Sequence, residues 1–277
     1  MVMRSALYVP GDQPEKLAKA LGRGADSLIV DLEDAVLPVH KEAARAAVAA
    51  WLRGLGPDTP EIYVRINPGA AGHDDLRAVA LPGVRGVCVA KTESAAELEA
   101  VDAVLAAAEA AQGLPGGSIV VCPLLESAAA ILAAPEIARA PRVSRLQIGE
   151  ADLRADLAVE TGPDERELLW ARSQVVLASA AARLAPPLAP VSTDFRDLDA
   201  LRVSTLALKR LGFRGRACIH PAQVAVVNEV FTPSEEELDR ARDLIARFEA
   251  SGSGVVTDAR GQMVDEAVVR AARRLLS

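Results

Sequence analysis

The chain reads as an α/β protein of the (β/α)8 TIM-barrel type with a C-terminal helical tail or lid. Three observations lead there. Short, β-rich apolar runs alternate with longer Ala-rich, charged stretches from one end of the 277 residues to the other, the pattern of a parallel sheet with crossover helices. Eight such runs occur, and polar residues gather where most of them end, as they should at the face of a barrel that carries chemistry. An open doubly wound sheet would usually begin with a glycine-rich phosphate loop after its first strand, and the single Pro10-Gly11 turn is not that fingerprint.

The expected strands are Ala6–Pro10, Ser27–Glu33, Glu61–Asn67, Gly86–Lys91, Ser118–Leu125, Arg145–Gly149, Leu188–Ser192 and Arg216–His220. Helical patterns lie between them, among them Gln13–Gly22, Lys41–Leu52 and Ala95–Ala111, the last closed by Gly113. After the eighth strand Ser234 is placed to cap a helix running to about Phe248, with Glu235, Glu236 and Glu237 at its positive end. The Gly-rich stretch SGSGVVTDARGQMVD and a short helix Glu266–Leu276 follow. The barrel is therefore drawn over residues 1–250 and the tail over 251–277, packing on the barrel or on a neighbouring subunit.

Composition narrows the function. A net charge of −7 lacks the excess of Lys and Arg that a phosphate backbone requires, and 3% aromatic residues leave few stacking platforms, so no nucleic-acid partner is expected. The N-terminus has no apolar signal region. No apolar window reaches the roughly 18 residues of a membrane span, so the expected location is the cytoplasm, away from membranes. Cys88, Cys122 and Cys218 show no CxxC spacing and sit in apolar runs, as inert core thiols do.

The strand ends read Asp31, Glu33 and Asp34 in DLEDAV, Arg65 and Asn67 in VRIN, Lys91 in VAKTES, Glu126 in PLLES, Glu150 and Asp152 in IGEAD, and His220 in CIHPAQ. Glu126 and Asp152 end strands that should be neighbours, roughly 4.8 Å apart, so the two carboxylates can share one cation. Without HExxH or a Cys cluster, these hard oxygen ligands favour magnesium, or manganese, over zinc. Each acid alone reads as a strand-end salt bridge; it is the pair that points to metal. Arg65 is suited to clamp a carboxylate or stabilise an enolate oxygen, or else to bridge loop carbonyls. Because side chains alternate along a strand, Asp31, Glu33 and Asp34 cannot all face the mouth; one or two would hold metal-bound waters and one would be structural. His220 is either a base or part of a shaping turn. A GxSxG elbow is absent, and Lys91 among acids would keep its proton, which argues against serine and Schiff-base chemistry.

RSALYVPGD, DLEDAV with Lys41 and Arg45 behind it, VRIN, GEADL, CIHPAQ, FTPSEEE and GQMVDEAVV together resemble, in order and across nearly the whole chain, the citrate lyase beta-subunit-like enzymes. That group sits in the HpcH/HpaI aldolase superfamily with malyl-CoA and citramalyl-CoA lyases. The resemblance implies a homotrimeric or hexameric barrel, magnesium on Glu126 and Asp152, and substrate contact by Arg65; taken with the strand-end reading, the expected catalytic residues include Arg65, Glu33 and Asp34, with Glu126 also touching substrate. The resemblance also implies an acid/base aspartate at Asp265, delivered by a neighbouring subunit's tail, and contacts from Arg4 and Lys16 to the phosphates of a CoA thioester substrate. Two departures, Ala90-Lys91 where relatives commonly read ProLys and Glu126-Ser127 where they often read GluThr, leave the charged groups in place and bear on substrate choice.

The expected activity is cleavage, or formation, of a malyl-, citramalyl- or citryl-type CoA thioester into a keto acid and acetyl-CoA. One rival is an aldolase on free hydroxy-oxo acids with His220 as base; the other is a non-catalytic beta-like subunit that binds an acyl carrier. For Asp265 the competing reading is an N-cap for the helix starting at Glu266.

Overall fold

The computed structural model describes residues 3–252, 254–258 and 260–276. Its centre is a curled, all-parallel sheet of seven strands: β1 (Ser5–Pro10), β2 (Ser27–Asp31), β3 (Glu61–Ile66), β4 (Val84–Val89), β5 (Val120–Leu125), β6 (Gln147–Ile148) and β7 (Arg216–Cys218), in the order β6-β5-β4-β3-β2-β1-β7. Helices connect the strands, giving a TIM-barrel-like α/β fold.

The seventh expected strand, Leu188–Ser192, does not form a regular strand. Pro186, Pro187 and Pro190 remove the N–H groups that a ladder needs, so only isolated parallel bridges remain, Gln147↔Leu188 and Ala189↔Arg216. Those two bridges nevertheless join the edge strands β6 and β7 through residues 188 and 189. The sixth strand is also shorter than expected, because Glu150 already opens the helix Glu150–Leu157.

Strand side chains alternate between two buried faces, as parallel sheets require. Leu28, Val30, Val64, Val87 and Val121 pack outward in the large core that also holds the helices' apolar faces. Ala6, Ile29, Tyr63, Cys88, Cys122, Leu188 and Ala217 form a second, inner cluster on the concave side. Gly86 keeps that interior passable, since a Cβ there would lie 2.8 Å from the Tyr63 ring and from Val120 O. The three cysteines are free and buried, as expected.

The chain divides into two compact units between Phe231 and Thr232, so the helix Glu235–Ser251 groups with the tail rather than with the barrel. That helix opens with a capping box: Ser234 Oγ accepts from Glu237 N at 3.1 Å, and Glu237 Oε2 accepts from Ser234 N at 2.8 Å. A hairpin of β8 (Val255–Thr257) and β9 (Met263–Asp265) leads into the helix Glu266–Leu276. Among the described residues, no helix is long and apolar enough to cross a membrane.

Candidate active site

The inward rows of the strands end in polar groups. Continuing two residues at a time from Ala6, Ile29, Tyr63 and Cys122 leads to Tyr8, Asp31, Arg65 and, past Leu124, Glu126; Gln147 occupies the same face of β6. These five residues, with Asp34, Gly149 and Asp152, line a cavity of about 330 Å³ at the C-terminal ends of the strands, closed elsewhere by apolar groups such as Val191 and Ile219.

Arg65 is fixed on three sides. Asp31, its register partner on β2, takes Nε at 2.8 Å and Nη2 at 2.5 Å, Glu33 lies 3.1 Å from Nη1, and the Tyr8 ring lies below with its centroid 5.1 Å from Cζ. Burial alone would lower the guanidinium's pKa, but the Asp31 fork outweighs it and raises the value, so Arg65 is a permanent cation. Asp31 is thus the structural member of its acid trio. It also accepts from the backbone N–H of Glu33 and Ala35, which shapes the DLEDAV turn.

Lys91 Nζ pairs with Glu33 and lies 3.2 Å from Asp34 Oδ1. Burial lifts the Glu33 carboxyl above its ordinary range although Lys91 and Arg65 oppose it. Burial also works to raise Asp34, yet hydrogen bonding with Glu33 and Lys91 holds that group below its ordinary value. Burial opposes the Lys91 charge, but its two carboxylate partners raise its pKa, in keeping with a lysine unsuited to Schiff-base chemistry. Glu33 lies behind the cavity wall while Asp34 reaches the cavity itself. Lys41 Nζ donates to Leu32 O and Glu33 O, and Asn67 Nδ2 to Leu32 O and Asp75 Oδ2, so the basic residue behind DLEDAV and the VRIN asparagine clamp the acid-bearing loop.

On the other side of the mouth, Glu126 is 5% exposed and accepts from Lys91 N at 2.6 Å. Burial, and next the hydrogen bond and charge of Asp152, push its pKa up to about 8. Two carboxylates brought together at that cost are a fit for a divalent cation, which would replace the proton that Glu126 otherwise keeps. No group of three or more His, Cys, Asp or Glu with metal-site geometry occurs among the described residues, so any ion here would have two protein ligands, the number that magnesium commonly uses. Glu150, although next to this pair in sequence, is spent on Arg172 at 2.6 and 2.7 Å.

Other expected site residues lie elsewhere. Arg4 requires a correction: it precedes β1, at the N-terminal end of the strands, and forks Asp26 at 2.8 and 2.9 Å, so it is on the face opposite the mouth. The RSALYVPGD motif spans a whole strand, and its two ends cannot serve one site. Lys16 is exposed in the first turns of the helix Pro14–Ala20, on the mouth side. His220 Nδ1 accepts from Ala222 N at 3.2 Å and its ring stacks on Phe195 at 4.8 Å, outside the cavity lining. Asp265 Oδ1 accepts from Ala267 N at 2.9 Å and Val268 N at 3.1 Å, capping the final helix. Tyr8 and Gln147 were not singled out from the sequence. The available signal was an inward-facing polar group on an otherwise apolar strand.

The family model for HpcH/HpaI aldolase/citrate lyase matches residues 4–221. The chain belongs to that family. The beta subunit of citrate lyase from Leuconostoc mesenteroides subsp. cremoris is 34% identical over 99% of this chain and 92% of its own. The L-malyl-CoA/beta-methylmalyl-CoA lyase of Cereibacter sphaeroides is 33% identical over 97% and 92%. Among solved structures, protein CitE from Mycobacterium tuberculosis in complex with magnesium, acetoacetate and coenzyme A superposes with a TM-score of 0.80 at 32% identity, covering 99% of this chain and 97% of that one. The resemblance drawn from the motifs is therefore borne out, and this HpcH/HpaI family member is an enzyme of the lyase and aldolase type.

Proposed function

We propose that this family member is a magnesium-dependent carbon–carbon lyase on a closed (β/α)8 barrel. It would cleave, or in reverse form, a β-hydroxy acyl-CoA of the malyl, citramalyl or citryl type. The observation that carries this reading is a cavity in which buried Glu126, paired with half-buried Asp152, faces a guanidinium held rigid by Asp31. Relatives with malyl-CoA and citrate lyase names, and a related structure holding magnesium and coenzyme A, support it.

Glu126 and Asp152 would hold the magnesium, with manganese as a substitute; when bound it supplies Lewis acidity toward the oxygens of the hydroxy acid. The protein's own groups then account for the rest. As the carbon–carbon bond breaks, its electron pair passes to the thioester half, and the resulting enolate oxygen needs a fixed positive charge. Arg65 has N–H groups beyond those used by Asp31 and Glu33, and it is already oriented. Asp34, at the cavity edge, would position water or the leaving hydroxyl proton with Glu33 behind it. Asp265 would give a proton to the enolate carbon or remove one from acetyl-CoA, in a homotrimer or hexamer whose tail acts as a lid on a neighbouring barrel. Lys16 is the remaining basic group for CoA phosphate.

The rival aldolase on free acids fares worse, since His220 is committed to a turn and a stack and does not line the cavity. A thioester requirement separates the two. With magnesium present, malyl- or citramalyl-CoA should be cleaved and the corresponding free hydroxy acids should not; equal cleavage of free acids would favour the rival.

A further inference from the structure

Tyr8 occupies the inward row of β1 beneath Arg65 and lines the cavity. Gln147, 2% exposed, donates from Nε2 to the Tyr8 hydroxyl at 2.9 Å, whereas its Oε1 is buried with no partner. Arg145 Nη1 is likewise buried with no partner, and both residues border one void of about 10 Å³ inside the sheet, room for a single water.

These two orphans fix the direction of the chain. If the Gln147 amide were reversed, its NH2 would face the same void as the Arg145 donor, and Tyr8 would spend its proton on Gln147 Oε1. With Oε1 toward the void, a water can accept from Arg145 and donate to Gln147, and Nε2 is the group that meets Tyr8. The Tyr8 oxygen then accepts from Gln147 and keeps its own O–H for the cavity. Among the described residues no group accepts that proton. Burial raises the phenol's pKa far above its ordinary value, so the proton stays on oxygen at any working pH.

We propose that Tyr8 is a further catalytic residue: its hydroxyl, aimed by Gln147 as a positioning residue, donates a hydrogen bond to the substrate oxygen that also faces Arg65. Resting on the acyl-CoA lyase reading, that oxygen is the thioester carbonyl, which gains negative charge as the carbon–carbon bond breaks. No proton is transferred. The phenol adds a neutral donor to the guanidinium's charge, and the contact strengthens as the charge develops.

Tyr8→Phe keeps the ring under Arg65 and removes only the hydroxyl. Measured on malyl-, citramalyl- and citryl-CoA with magnesium, it should lower kcat roughly 10- to 100-fold with a much smaller change in KM and leave magnesium binding as in wild type, while the melting temperature falls modestly because buried Gln147 Nε2 loses its acceptor. Gln147→Glu places an acceptor against the phenol and draws its proton away from the cavity, so it should cause a similar loss; the double variant should be no worse than Tyr8→Phe alone. Additive losses would make Gln147 structural and overturn its positioning role. If Gln147→Glu does not fold, Tyr8→Phe decides alone. A folded Tyr8→Phe with wild-type kcat overturns the proposal while leaving the lyase reading standing, and a wild type inactive on the whole panel overturns both.

Discussion

A carboxyl held near pKa 8 by burial and by a second carboxylate has consequences that can be measured at Glu126 alone. Its ordinary value is 4.5, so between about pH 4.5 and 8 the unfolded chain gives up a proton that the folded chain keeps. Stability of the metal-free protein should therefore fall as pH rises through that window and level off above it. Glu126→Gln should remove this slope and melt higher than wild type at pH 8 in chelator. Magnesium must displace the same proton, so its affinity for wild type should rise with pH over that range, and the Gln variant should bind it weakly and turn over almost nothing. A pH-independent melting difference between the two proteins would count against this assignment. Arg65 offers a second test at this scale. Arg65→Lys keeps a charge but loses the two-pronged fork to Asp31, and kcat should drop about 10²-fold or more; unchanged kinetics would make the arginine structural.

Among the elements, the turn from β6 into the helix Glu150–Leu157 is the tightest constraint on the acid pair. A Cβ at Gly149 would lie 2.7 Å from Glu126 Oε2 and 2.8 Å from Glu126 Cβ. Gly149→Ala should push Glu126 aside and weaken magnesium binding in calorimetry while the barrel still folds; wild-type binding would show that the carboxylate has room to move. At the other end of the chain, Asp265 caps a helix through two backbone N–H groups. Asparagine caps equally well, so Asp265→Asn should melt like wild type. Loss of turnover in that folded variant would support an acid/base role, and full activity would leave only the cap. Element ends were also where the sequence was least legible. The proline-rich LAPPLAPVS segment has the apolar character of a strand but not the N–H groups to form one. The capping signals at Ser234 and Glu237 mark the start of the helix Glu235–Ser251, yet nothing local in its sequence tells which compact unit it joins.

For the molecule as a whole, the alternation of short apolar runs with helical stretches is enough to identify the parallel sheet, and because parallel strands all end at one face, it brings Asp31, Arg65, Glu126 and, at the start of the helix after β6, Asp152 to one mouth. Alternation does not tell which acid is already paired. Glu150 and Asp152 look alike in IGEAD, and only the tertiary position of Arg172, some twenty residues on, commits one and leaves the other. Nor does it tell that Tyr8 and Gln147 meet across the sheet from strands 139 residues apart. The most direct test of an enolate-forming lyase follows the methyl protons of acetyl-CoA by NMR in deuterated water with a keto acid present. Wild type with magnesium should exchange or consume the methyl signal, and Glu126→Gln, Arg65→Lys and chelator-treated wild type should each lose that ability. A methyl signal that persists with wild type and magnesium, or that decays equally in the Glu126→Gln variant, would contradict the assignment of this cavity as the site of carbon–carbon chemistry.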